Sequence, residues 1–267
     1  MSALPATRSA TNPETAAALA VGVLAATLAT VAHETLGHGL ACIGVGGHIT
    51  LLTSIWFRCS KWSAIANAGG PIGNLLVGSA AIALLGRGRP GPRMRLLLLM
   101  VGALSLFCFM GQLALESLTN NHDDWYSTAL LLGWPPIWRP VGAVVGIGGY
   151  LLVRRWLVTV IQRQGGPEAR DILLAYAAAA ASAVIAGLLW RPAPFQSAVQ
   201  GFLAFGVAPL GLLGLARRSG GAAGRDVGKE PAPGTWIWIS VCAVVFGVFL
   251  LVQATGLGPM AGSGLPP

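Results

Sequence analysis

The sequence predicts an all-α, polytopic transmembrane helix bundle of about seven spans, with its N-terminus cytoplasmic. Three observations carry this. Of 267 residues, 54% are hydrophobic and only 10% charged, against about 25% charged in an ordinary soluble domain. Seven apolar stretches lie roughly at 16–43, 62–85, 95–116, 140–162, 171–190, 197–216 and 235–256. Each is close to the ~20 residues that carry a helix across a bilayer. Finally, the basic residues gather in alternate connections, as the cytoplasmic loops of a membrane protein do.

Taken in order, the first stretch is too long for a signal peptide, whose apolar core spans about 7–15 residues. It also carries His33, Glu34 and His38 at its far end, and it reads as a retained helix. The second opens on "AIANAGGPIGNLL", with Asn67 and Asn74 near its outer half. The basic turn "GRGRPGPRMR" leads to the third, which is followed by "ESLTNNHDDWYSTALLLG". That segment brings Glu116, Asn120, Asn121, His122, Asp123 and Asp124 to the outer side; a plain solvated loop is its other reading. Four further apolar stretches follow. The Gly/Ala/Pro-rich linker from Arg217 to Gly234 is too short for a folded module, and residues 257–267 read as a disordered tail.

The net charge of +8 is a topological signal. Arg8, the cluster Arg87, Arg89, Arg93 and Arg95, the cluster Arg154, Arg155, Arg163 and Arg170, and the cluster Arg217, Arg218, Arg225 and Lys229 all fall on one side. Only Arg58, Lys61, Arg139 and Arg191 lie elsewhere. The expected partner of this charge is the lipid bilayer with its anionic headgroups; nucleic acid is not. Trp56, Trp62, Trp125, Trp134, Trp138 and Trp190 sit near outer ends, and Trp156, Trp236 and Trp238 near inner ends, as interfacial tryptophans do. Cys42, Cys59, Cys108 and Cys242 show no metal-binding spacing and are expected to be small core residues; a Cys42–Cys59 disulfide at the outer face is the alternative. Lysine is confined to Lys61 and Lys229. This arginine bias points to a GC-rich bacterial source, hence to a bacterial cytoplasmic membrane.

Charge at bilayer depth costs roughly 2.5–3.5 kcal/mol per residue on the insertion scale, so Glu34 between two histidines asks for a function. A catalytic zinc takes three imidazole or carboxylate ligands and keeps one position for water. A neighbouring glutamate can take that water's proton. His33 and His38 are candidate ligands, Glu34 the candidate base, and Asp124 or Asp123 the candidate third ligand. The spacing sets a condition. Residues four apart on an α-helix differ by about 40° in direction, and residues five apart by about 140°. His33 and His38 therefore share a metal only if a π-bulge absorbs the extra residue, which Gly37 makes easier. Otherwise Glu34 and His38, four apart, are the metal-binding pair.

"HETLGHGLA" followed by "NAGGPIGNLLVG" resembles the site-2 protease family of intramembrane zinc metalloproteases. Members typically read HELGHALA on one transmembrane helix and GPxxN on the next, and a later Asp-Gly motif supplies the third ligand. The resemblance implies Zn2+ as cofactor, His33, His38 and Asp124 (alternate Asp123) as ligands, and Glu34 as the catalytic base. It also implies Gly70, Pro71 and Asn74, with Asn67, as support for the substrate or oxyanion. Here the motif is HExxxH and Asp124 precedes Trp125; dipeptidyl peptidase III, a soluble zinc enzyme, carries a similar HExxGH. The expected organisation is a cytoplasmic N-terminus (1–15), a metalloprotease-like membrane core (16–135), additional transmembrane helices (136–256) and the tail. The expected activity is cleavage of a membrane-spanning or membrane-adjacent peptide. Metal or ion transport, haem binding, an inactive protease relative and a scaffold role are the other readings of the same residues.

Overall fold

The computed structural model describes residues 13–88, 90–119, 121–164, 166–219 and 234–263. Expectations placed on 1–12, Arg89, Asn120, the linker residues 220–233 and 264–267 fall outside them. Among the described residues, seven helices are long and apolar enough to cross a membrane, so the chain is an all-α polytopic bundle and, by that criterion, an integral membrane protein. The first span joins α1 (Pro13–Thr30), a π-helix (Val31–Gly39) and α2 (Leu40–Gly44). A hairpin of β1 (Ile49–Leu52) and β2 (Phe57–Cys59) follows. The second and third spans are α3 (Ala64–Arg87) and α4 (Pro92–Leu118), and short α5 (Asp124–Leu131) leads to α6 (Trp138–Gln164). The fifth span is α7 (Ala169–Leu188). The sixth joins α8 (Pro194–Phe202), a π-helix (Leu203–Val207), a 3-10 turn (Ala208–Leu210) and α9 (Gly211–Ser219). The seventh is α10 (Thr235–Phe249), ending in a π-turn (Leu250–Ala254).

The two halves of the bundle differ. Near the start of α1, Arg93 donates to Glu14 at 2.9 Å and also bonds Thr235, drawing the beginnings of the first, third and seventh spans together. The apolar core fills this half, with Leu99, Met100, Phe107, Leu157, Ile172 and Leu215 almost wholly buried. Outward faces such as Val144 and Leu152 on α6, or Val244 and Leu251 on the seventh span, remain exposed and apolar, as a lipid-facing surface must be. The other half holds the hairpin, α5 and a cavity.

Two expectations are corrected here. Cys42 and Cys59 form a disulfide, Cα to Cα 5.7 Å, which ties the end of the first span to β2; only Cys108 and Cys242 are free. Within the expected disordered tail, residues 257–263 make defined backbone contacts. Leu52 and Leu257 exchange backbone hydrogen bonds at 2.9 and 2.8 Å, and Met260 N–H donates to Thr50 at 3.0 Å. A Gly/Pro-rich composition reads as disorder, but the open edge of β1 offers backbone partners that composition does not reveal. The disulfide spans 17 residues, and a loop near that size is worth about 3 kcal/mol in the chain-entropy account. Replacing both cysteines by serine is therefore expected to lower the thermal unfolding midpoint in detergent, and an unchanged midpoint would show the bridge to be idle.

Candidate metal centre

The centre starts from the irregular helix. A π-helix bonds residue i to i+5, so residues five apart stack on one face. The stretch Val31–Gly39 is π-helical throughout, meeting the condition set by the His33–His38 spacing. The two imidazoles stand edge to face with centroids 4.8 Å apart. Close packing on α3 makes room for them. A Cβ on Gly37 would strike the backbone of Gly69 and Gly70, and one on Gly70 would strike both histidine Nε2 atoms. Gly70 thus lies directly under the imidazoles, where any side chain would displace them.

Asp124, the first residue of α5, closes the group. Its Oδ2 lies 3.1 Å from His33 Nε2 and its Oδ1 3.2 Å from His38 Nε2. One ligand atom from each of the three residues falls within 4.8 Å of the others. Ligands about 2.1 Å from a tetrahedral metal stand roughly 3.4 Å apart, so His33, His38 and Asp124 can hold a metal ion. Asp123, the alternate ligand, is exposed at the N-cap of α5 and outside the group. The Glu34–His38 pairing is not the one assembled. Burial works against charge on Asp124, yet the two imidazoles, when protonated in the absence of a metal, overcome it and hold its carboxyl well below the usual carboxylate range.

The outer contacts suit metal-binding tautomers. His38 Nδ1–H donates to Ala66 O at 2.7 Å, which leaves Nε2 with its lone pair for a metal. Phe57 of β2 stacks on the same ring at 5.0 Å. The Asn74 amide is 3.0 Å from His33 Nδ1. With its oxygen turned to the ring, an orientation that heavy-atom positions leave open, Nδ1–H donates and Nε2 is again free. One end of Asn74 is thus spent on a ligand. Asn74→Leu is expected to weaken zinc binding about 10–100-fold, the usual effect of removing such a partner. Competition against a chromophoric chelator measures this, and unchanged affinity would remove Asn74 from the centre.

Two α4 residues seat the third ligand, and neither role was foreseen. Gln112 Nε2 donates to Asp124 Oδ2 at 2.8 Å. Glu116, fully buried, accepts the Tyr126 N–H at 2.7 Å and so caps the start of α5 from outside that helix. Their spacing of four on an apolar helix was the available signal. Farther out, Thr35 Oγ1 donates to Gln253 Oε1 at 3.0 Å, and Gln253 Nε2 donates to Thr53 O at 2.9 Å. One amide from the seventh span thereby joins the π-helix to the hairpin.

A cavity of about 470 Å³ opens beside the centre. Glu34 is buried and lines it, with Oε2 lacking any hydrogen-bond partner among the described residues. Ser54 Oγ, Asn67 Nδ2 and Gln112 Oε1 line it in the same condition. Pro71 is buried within α3 and does not line it; nor does Gly70. Of the four residues expected to support a substrate, only Asn67 and Asn74 reach the cavity. No protein-family model, curated protein or solved structure matches this chain.

Proposed function

We propose that the chain is an intramembrane zinc-dependent endopeptidase acting on a membrane-spanning or membrane-adjacent peptide. The observation that carries the proposal is the π-helix. It turns His33 and His38 onto Asp124 while Glu34, whose Oε2 has no hydrogen-bond partner among the described residues, lines the same cavity. A buried carboxylate oxygen without a partner is costly, and a general base waiting for water explains it.

His33, His38 and Asp124 would hold the zinc, since two imidazoles and one carboxylate suit that ion; when bound, it would supply an acidified water and a polarised carbonyl. Glu34 takes the water's proton and returns it to the departing amine. The C–N bond breaks, hydroxyl goes to the carbonyl carbon, and the products are a carboxylic acid and an amine. Asn67 and the free end of Asn74 offer amide groups to the peptide backbone. Such partners are needed because a spanning peptide must give up its own helical hydrogen bonds before attack.

The charge pattern supports a centre in the outer half of the membrane. The Cys42–Cys59 disulfide beside it agrees, since disulfides persist in oxidising compartments. The test is cleavage of single-span peptides by the purified protein in proteoliposomes. Activity is expected to vanish with 1,10-phenanthroline and return with zinc. Stoichiometric zinc with no cleavage across a broad peptide panel would favour an inactive relative or a metal-binding protein.

A further inference from the structure

The sixth span is broken where it meets the cavity. Helical bonding passes from α to π at Leu203 and to a 3-10 turn at Ala208. Pro209 is not helical (φ −88°, ψ 27°) and has no N–H to donate. Irregular backbone at membrane depth is tolerated where other groups satisfy it or where it lines a cavity, and both conditions hold. Tyr176 of α7 donates its hydroxyl to Gly206 O. Tyr150 of α6 donates to Ala208 O at 2.8 Å and accepts Gly211 N–H at 2.7 Å. Two neighbouring spans therefore hold the break in a fixed shape.

The broken stretch lines the cavity with Leu203, Ala204, Phe205, Val207 and Ala208. Gly111 on α4 lies across from it; a Cβ there would sit 3.6 Å from the Ala208 Cβ. Leu203, Ala204, Phe205, Val207 and Ala208, facing Gly111, make this end of the cavity apolar. The unpartnered polar atoms of Glu34, Ser54, Asn67 and Gln112 belong to other elements. The cavity thus joins a polar metal end to an apolar, braced end, as ligand sites commonly do.

We infer that the break in the sixth span is a specificity subsite that receives one large apolar side chain of the peptide held at the metal centre. This rests on the peptidase reading. It also gives the sixth span a role in choosing substrate.

The probes are two hydroxamates that chelate zinc: acetohydroxamate, with a methyl group, and phenylacetohydroxamate, with a benzyl group. Binding is measured on the zinc-loaded full chain in detergent. Phenylacetohydroxamate is expected to bind about tenfold tighter or more, from burial of the ring. Ala204→Phe and Ala208→Phe should each collapse that preference toward unity, with zinc content and acetohydroxamate affinity unchanged. Gly111→Val should do the same from the opposite wall. These two controls report a misfolded variant directly. No preference in the wild type, or a preference that survives all three substitutions, overturns the subsite alone. Failure of zinc-loaded wild type to bind either hydroxamate overturns the metal centre and the subsite with it.

Discussion

Replacing Glu34 by glutamine is expected to lower peptide cleavage by about 10²–10⁴-fold, the usual worth of a positioned acid–base group, while zinc stays bound. The side chain is nearly isosteric, so the π-helix and the packing of Gly37 on α3 are undisturbed. Glu34 lies outside the group of three that can hold the ion, so the metal keeps its ligands. What disappears is the carboxylate whose Oε2 has no other partner. Cleavage is read with single-span peptides, and zinc by elemental analysis. Retained cleavage would remove Glu34 as base. Lost zinc would make Glu34 a ligand.

Asp124→Ala is expected to weaken zinc binding by more than about 100-fold, beyond the loss expected for a residue that only hydrogen-bonds a ligand. Among the described residues, Asp124 is the carboxylate that contacts both histidines, and its position depends on two elements, α5 and α4. α5 carries it, Glu116 caps α5, and Gln112 bonds its Oδ2. Without it, two imidazoles from a single π-helix remain, one ligand short of a catalytic set. Asp123→Ala is the matched control: it lies one residue away, exposed, and should leave zinc affinity nearly unchanged. Equal losses in the two variants would contradict the assignment.

Much of this arrangement is legible in the sequence because it is local. A scarcity of charge marks the spans, whose structural bounds differ from the expected ones by a few residues. The HExxxH spacing demands a π-helix, since no α-helix turns residues five apart to one side. What stays hidden depends on partners distant in the chain. Gln112 and Gln253 are lone amides within apolar runs, and their partners lie 12 and up to 218 residues away. Gly70 and Pro71 read as one motif with Asn74, yet Gly70 serves by lacking a side chain under the histidines. Cysteine spacing does not fix pairing, so the Cys42–Cys59 bridge could not be derived. The hairpin is short, and β1 borrows its second partner from the C-terminal segment.

The proposed zinc site, built by one π-helix and the start of α5 from His33, His38 and Asp124, is open to zinc K-edge X-ray absorption on the zinc-loaded protein. Expected are nitrogen and oxygen neighbours alone at about 2.0–2.2 Å, with imidazole scattering from two histidines that falls to one in His33→Ala. A shell containing sulfur near 2.3 Å, or a spectrum unchanged by His33→Ala, would contradict it.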